Sequence, residues 1–254
     1  MNKIWILLFT GCLTCLFINC SNLKKAEVEN QNPANTYLAL RTQIPPKIDG
    51  LLNDKCWKSA SWDTLDQNWL GNTYNSEDFQ GRYAITWDDS LLYLSLEITD
   101  DSLVNFYSNP LIQYWDDDCV EVFIDEDYSG GIHQYSHQAF AYHISPAMDA
   151  IDIGPDKQAH YYNHHIKGAV TKNQTKYSWE LAIRVYGKDY TDTMNTHKPI
   201  KLSANKTLGF SLAYCDNDSS VFRENFIGSV NSPGHFKNEG WIDASCFGKL
   251  ILAD

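Results

Sequence analysis

The chain has 254 residues, with 32 acidic against 20 basic side chains and a formal net charge of −12. That balance argues against nucleic acid and anionic membrane as partners, and suits neutral ligands or cations such as calcium. Aromatic residues make up 13%, with 15 tyrosines and 8 tryptophans, a content that fits strands and carbohydrate platforms.

The N-terminus reads as a leader. Lys3 precedes an apolar run over residues 4–18 that is too short for a comfortable membrane span and ends at Asn19-Cys20-Ser21-Asn22. The arrangement resembles a bacterial lipoprotein signal. It implies removal of residues 1–19, lipid on Cys20, and a domain held at the cell envelope, periplasmic or on the outer-membrane surface. Residues 20–36 are polar and read as a flexible tether, leaving 37–254 as one large domain.

Within that domain short β-rich segments follow one another: 37–42, 82–87, 91–98, 119–125, 138–144, 161–170, 177–185, 208–214 and 250–252. Asp88-Asp89-Ser90 is a hairpin turn, and residues 54–60, carrying Trp57, form the one short helix. Many short strands broken by Gly, Asp, Asn and Pro predict an all-β antiparallel sandwich. Cys56, Cys119, Cys215 and Cys246 have no CxxC spacing, which argues against zinc, and they read as small buried hydrophobes.

Residues 115–125, WDDDCVEVFID, concentrate the chemistry. Strand side chains alternate, so Val120, Val122 and Ile124 make a core face while Asp117, Cys119, Glu121 and Phe123 share the other. A carboxylate in mid-strand is expensive to bury without a partner. A tryptophan at the strand entrance and a carboxylate inside suit a ligand with both polar and apolar faces, such as a sugar.

Five segments in order carry a family resemblance: IDGLLND (48–54) with Trp57, TWDDSLLYLSLEITD (86–100), WDDDCVEVFID, LGFSLAYCDND (208–218) and GWIDASCFGKLIL (240–252). Together they resemble family 9 carbohydrate-binding modules. The resemblance implies a jelly-roll-like sandwich, structural calcium, and a slot in which two tryptophans clasp a sugar ring. Those two would be Trp115 and Trp241, with Glu121 and Asn238 binding hydroxyls. It also implies non-catalytic capture of a mono- or oligosaccharide or of a chain end, in support of polysaccharide-degrading enzymes. Where the family often has a basic residue, this chain reads QAFAYHI (138–144), so Tyr142 or His143 is expected to substitute. The segment RENFIGSVNSPG (223–234) either brings Arg223 and Glu224 to the slot or pairs them on the surface, and the surface pair is the expectation.

For calcium, Asp125 and Asp127 before Ser129-Gly130-Gly131 are candidates, as is Asp100 beside Asp101. Six histidines lie between His133 and His165; His164 and His165, placed on one strand, would face opposite ways. Three other functions compete with sugar capture. One is a glycosidase using two carboxylates of the acidic cluster. Another is a haem-binding electron carrier using Met148 or Met194 with a histidine such as His143. The last is an interaction domain whose slot has lost its ligand.

Overall fold

A computed structural model describes residues 35–193 and 198–254. The expected leader, Cys20, nearly all of the tether and Met194 lie outside the described residues. No helix among the described residues is long and apolar enough to cross a membrane.

The domain is a β-sandwich, with fourteen strands and one short α-helix among the described residues. One antiparallel half joins β2 (Trp62–Leu65), β4 (Phe79–Trp87), β5 (Leu92–Asp100), β11 (Lys176–Ile183) and β10 (Ile166–Asn173). The other runs β14 (Gly248–Ala253), β12 (Thr207–Asp216), β6 (Cys119–Asp125), β7 (Phe140–Ile144), β8 (Ala150–Ile153), β9 (Ala159–Tyr161), with β13 (Asn225–Gly228) attached to β12 and β3 (Gln67–Leu70) to β13. Strand β1 (Thr36–Arg41) pairs parallel to both β14 and β4 and so links the halves. The indole of Trp87 rivets this junction, donating to the carbonyls of Ala39 (3.1 Å) and Ala253 (3.0 Å).

The core forms where the alternating apolar faces of the halves meet. Trp87, Leu94, Leu96, Trp179 and Leu181 from the first half pack in one cluster with Val120, Val122, Phe140, Phe210, Leu212 and Leu250 from the second. Burying each such side chain contributes about 1.5–3 kcal/mol. Trp69 also turns inward, its indole donating to the Val230 carbonyl at 2.8 Å.

The helix α1 (Lys55–Ser59) covers the outer face of β4, β5 and β11 with Cys56 and Trp57. Its anchor is Glu180, a fully buried carboxylate that accepts from the Asp49 and Gly50 amides (2.9 and 2.8 Å) and from the Trp57 indole (2.7 Å). Gly50 has φ +77°, and a β-carbon there would meet Thr171 at 2.7 Å. The Ile-Asp-Gly segment and Trp57 thus belong to one anchoring device.

The segment expected as a single strand over 161–170 is interrupted after β9. His164 and His165 lie in the interruption, and their rings sit 4.3 Å apart, correcting the expectation that they diverge. His165 is fully buried among Tyr142, Tyr162, Tyr186 and Tyr190.

Candidate functional site

The sequence WDDD serves as a brace before β6. Asp116 accepts the Arg223 amide at 3.3 Å, Asp117 accepts the Phe106 and Tyr107 amides at 2.7 and 3.0 Å, and Asp118 accepts the Asn217 amide at 2.9 Å and the Val104 amide. Three consecutive acids therefore tie the 104–107 and 217–223 segments to the start of one strand. Trp115, immediately before them, stands 40% exposed.

A cavity of about 320 Å³ opens beside Trp115, at the small end of ligand pockets. Trp115, Glu121, His143, Asn238 and Trp241 all line it, together with Tyr114, Tyr135, Asp152, Arg223 and Phe226. The chain holds the Trp241 side in place through the turn around it. His133 N donates to the Ile242 carbonyl at 2.8 Å, and Gly240 packs so closely that a β-carbon would meet Phe123 at 2.7 Å.

Glu121 is the electrostatic centre. It sits directly across from His143 in the β6–β7 register, with His143 Nε2 2.7 Å from its Oε1. Arg223 Nη1 reaches the same oxygen at 3.2 Å and the Cys215 thiol donates to it at 3.1 Å. Burial alone would push the Glu121 carboxyl up, but the charges of His143 and Arg223 outweigh it and hold the group below the ordinary range. Arg223 Nη2 donates to Asn238 Oδ1 at 2.9 Å, which leaves the Asn238 amide nitrogen as a donor. The guanidinium lies 4.0 Å from the centroid of Phe226.

Two expectations are corrected here. Tyr142 does not line the cavity: it alternates with His143, so its side chain enters the core, where its hydroxyl meets His165 Nδ1 at 2.7 Å. Arg223 is no surface partner of Glu224. Its side chain is only 14% exposed and is spent on Glu121, so the basic group absent from β7 arrives from the segment before β13. The sequence did contain Arg223, yet nothing local marks a contact across 102 positions.

Asp152 was not anticipated. Its carboxylate accepts the Ala141 and Ile153 amides at 2.8 and 2.7 Å, and burial pushes its pKa up to about 7. A larger groove of about 740 Å³ overlies β4, β5 and β11, but its charged pair, Arg82 and Glu97, is spent on itself.

Of the three metal candidates, only Asp100 enters a cluster. Its ligand oxygen and those of Asp118 and Asp216 lie within 4.8 Å of one another, all three residues buried. Burial and mutual repulsion raise Asp118 to about 9 and Asp216 to about 8. Asp100 is bound by the Tyr214 hydroxyl at 2.6 Å, and the neighbouring Asp218 Oδ1 is buried without a partner. An all-oxygen set of three carboxylates without a basic residue fits a hard divalent cation. Asp125 and Asp127 instead brace their own turn, through the Gly130 amide (2.8 Å) and the Ser129 amide (3.1 Å). Backbone donors satisfy them, and no third acid joins them in a cluster among the described residues.

The chain matches the family model "Carbohydrate family 9 binding domain-like" over residues 48–254 and belongs to that family. It is 27% identical to Endo-1,4-beta-xylanase A of Thermotoga neapolitana and 26% identical to Exoglucanase XynX of Acetivibrio thermocellus. Each match covers 82% of this chain but only 17% and 16% of those enzymes, so the chain spans about a sixth of their length. Two solved structures of a family 9 module from Caldicellulosiruptor kristjanssonii share the fold. The one in complex with cellotriose has TM-score 0.63 and 19% identity, covering 86% of this chain and 93% of the module. The one in complex with glucose has TM-score 0.61 and 20% identity, covering 85% and 95%.

Proposed function

We propose that this protein is a non-catalytic carbohydrate-binding lipoprotein that holds one sugar ring of a mono- or oligosaccharide, or a glycan chain end, in the Trp115–Trp241 cavity. The observation that carries the reading is the convergence in one cavity of two indoles with a charged hydrogen-bonding set. Pyranose rings present C–H patches to aromatic faces, and their hydroxyls need fixed donors and acceptors. Glu121 supplies the acceptor and the Asn238 amide nitrogen a donor, both held in place by Arg223. Membership of a carbohydrate-binding family, and the cellotriose and glucose held by the two related modules, support the same reading.

The two carboxylates of the cavity are held as structural groups rather than free for acid–base work. Glu121 is held through Oε1 by His143 and Arg223, and Asp152 by two backbone amides. Glycosidase chemistry asks for a free proton donor and a free nucleophile or base. The haem reading is disfavoured because His143 Nε2 is committed to Glu121, while the Met148 sulfur lies against Gly168. Calcium, bound by Asp100, Asp118 and Asp216, would neutralise their charge and stiffen the 217–223 segment through Asp118 and Asn217. A lipid on Cys20 would tether the module at the cell envelope, where it would gather glycans for polysaccharide-degrading enzymes. The acidic surface suits neutral glycans and disfavours nucleic acid.

Calorimetric titration in calcium buffer tests this, with glucose, cello-oligosaccharides and xylo-oligosaccharides each run beside its borohydride-reduced form. Saturable one-to-one binding is expected, and its loss on reduction would identify chain-end capture. No binding to any sugar of the panel would overturn the proposal.

A further inference from the structure

We propose that Cys119 and Cys215 join in a cross-strand disulfide when the chain folds in an oxidising medium, bracing Glu121 and Arg223 of the cavity from behind. The two residues are register partners in the β6–β12 ladder, so their side chains leave the same face. Partners in an antiparallel ladder have α-carbons about 4.5–5.5 Å apart, inside the range that a disulfide spans. Both sulfurs and a Glu121 carboxylate oxygen lie within 4.8 Å of one another. The residues are 1% and 0% exposed and are free thiols here. The remaining described cysteines lie elsewhere, Cys56 on α1 and Cys246 in the turn before β14.

The pair touches the cavity through Cys215, whose sulfur is 3.1 Å from Glu121 Oε1 and 3.2 Å from Arg223 Nη1. Oxidation removes a hydrogen from each thiol, forms one S–S bond, and passes two electrons and two protons to a disulfide oxidant. That oxidant is a protein dithiol–disulfide oxidase or, in vitro, oxidised glutathione, which is reduced to two thiols. Glu121 then loses the thiol donor and keeps His143 and Arg223. Both thiols are closed off from any oxidant in the finished sandwich, so the bond forms while the strands are pairing, before the core closes.

The test is peptide mapping of the full-length protein. The reduced, unfolded chain is refolded in a glutathione redox mixture, denatured, alkylated without reductant, digested and analysed by mass. A linked peptide pair containing Cys119 and Cys215 is expected, with a Tm roughly 5–10 °C above that of protein refolded in excess dithiol. Alkyl label on both cysteines after oxidative refolding would overturn the proposal, as would Cys119 or Cys215 linked to a different cysteine. C119A should abolish both the linked pair and the Tm difference. If that variant fails to fold, the map of the unaltered chain still decides. Because it reads covalent chemistry, the map stands whether or not a sugar binds.

Discussion

Strand β6 begins between two groups of buried carboxylates that meet the same electrostatic cost in opposite ways. On one side Glu121 is fully desolvated, yet His143 and Arg223 hold it ionised. On the other, Asp118 gathers with Asp100 and Asp216, no cationic side chain among the described residues forms an ion pair with them, and burial and repulsion drive their pKa values upward. Only Cys119 and Val120 separate Asp118 from Glu121. The first group has its counter-charges within the fold; the second has none, and under the proposed function it would take a cation from solution. A buried carboxylate in this fold is thus informative only together with what faces it.

The sharpest way to break the comparison is to remove one anion from each side. Glu121→Gln leaves the Arg223 guanidinium buried without its counter-charge, so denaturant unfolding should show a loss of about 3–5 kcal/mol and sugar binding should vanish. Its response to calcium should be unchanged. Asp118→Asn should do the reverse, erasing the calcium response and sparing sugar affinity.

Calcium itself gives the next largest effect. At a hundredfold excess over Kd it should stabilise by about 2.7 kcal/mol, or roughly 5–10 °C in Tm by calorimetry, and chelation should reverse this. The pH dependence follows from the raised pKa values of Asp118 and Asp216. Without metal these groups are protonated when folded and ionised when unfolded, so the unfolded state binds fewer protons. Stability should then fall as pH rises from about 4 towards about 9. With calcium in place of the protons, that fall should flatten.

Smaller effects come from the cavity walls. Trp115→Ala, at an exposed position, should cost about 2 kcal/mol of sugar affinity in a calorimetric titration while leaving Tm nearly unchanged. Tyr142→Phe removes only the hydroxyl facing His165. It should cost about 1 kcal/mol of stability and leave sugar affinity intact. A loss of affinity in that variant would return Tyr142 to the cavity.

The two regions also differed in how far the sequence revealed them. Period-two alternation marked β6 at its observed bounds, and the resemblance placed Trp115, Glu121, His143, Asn238 and Trp241 in one slot, where the structure brings them together. Strands β2, β3 and β13 escaped because four residues such as WDTL, QNWL or NFIG are too short to show a period. Tyr142 and His143 were taken together although neighbours on a strand face opposite ways. For Arg223 the surface pair with Glu224 was preferred over the slot because Glu224 offered a local partner, whereas its partner in the fold lies 102 residues away. The acidic cluster was half legible: Asp100 stood out beside Asp101. Asp118 and Asp216 come to it only through the folding of β5, β6 and β12 onto one another.

Tryptophan fluorescence during titration with cellotriose, run in parallel on the unaltered chain, Trp115→Ala and Trp241→Ala, tests the sugar site most directly. A saturable emission change in the unaltered chain, strongly weakened in both variants at unchanged Tm, is the expected result. Binding of undiminished affinity in both variants would contradict it and move the ligand out of the Trp115–Trp241 cavity.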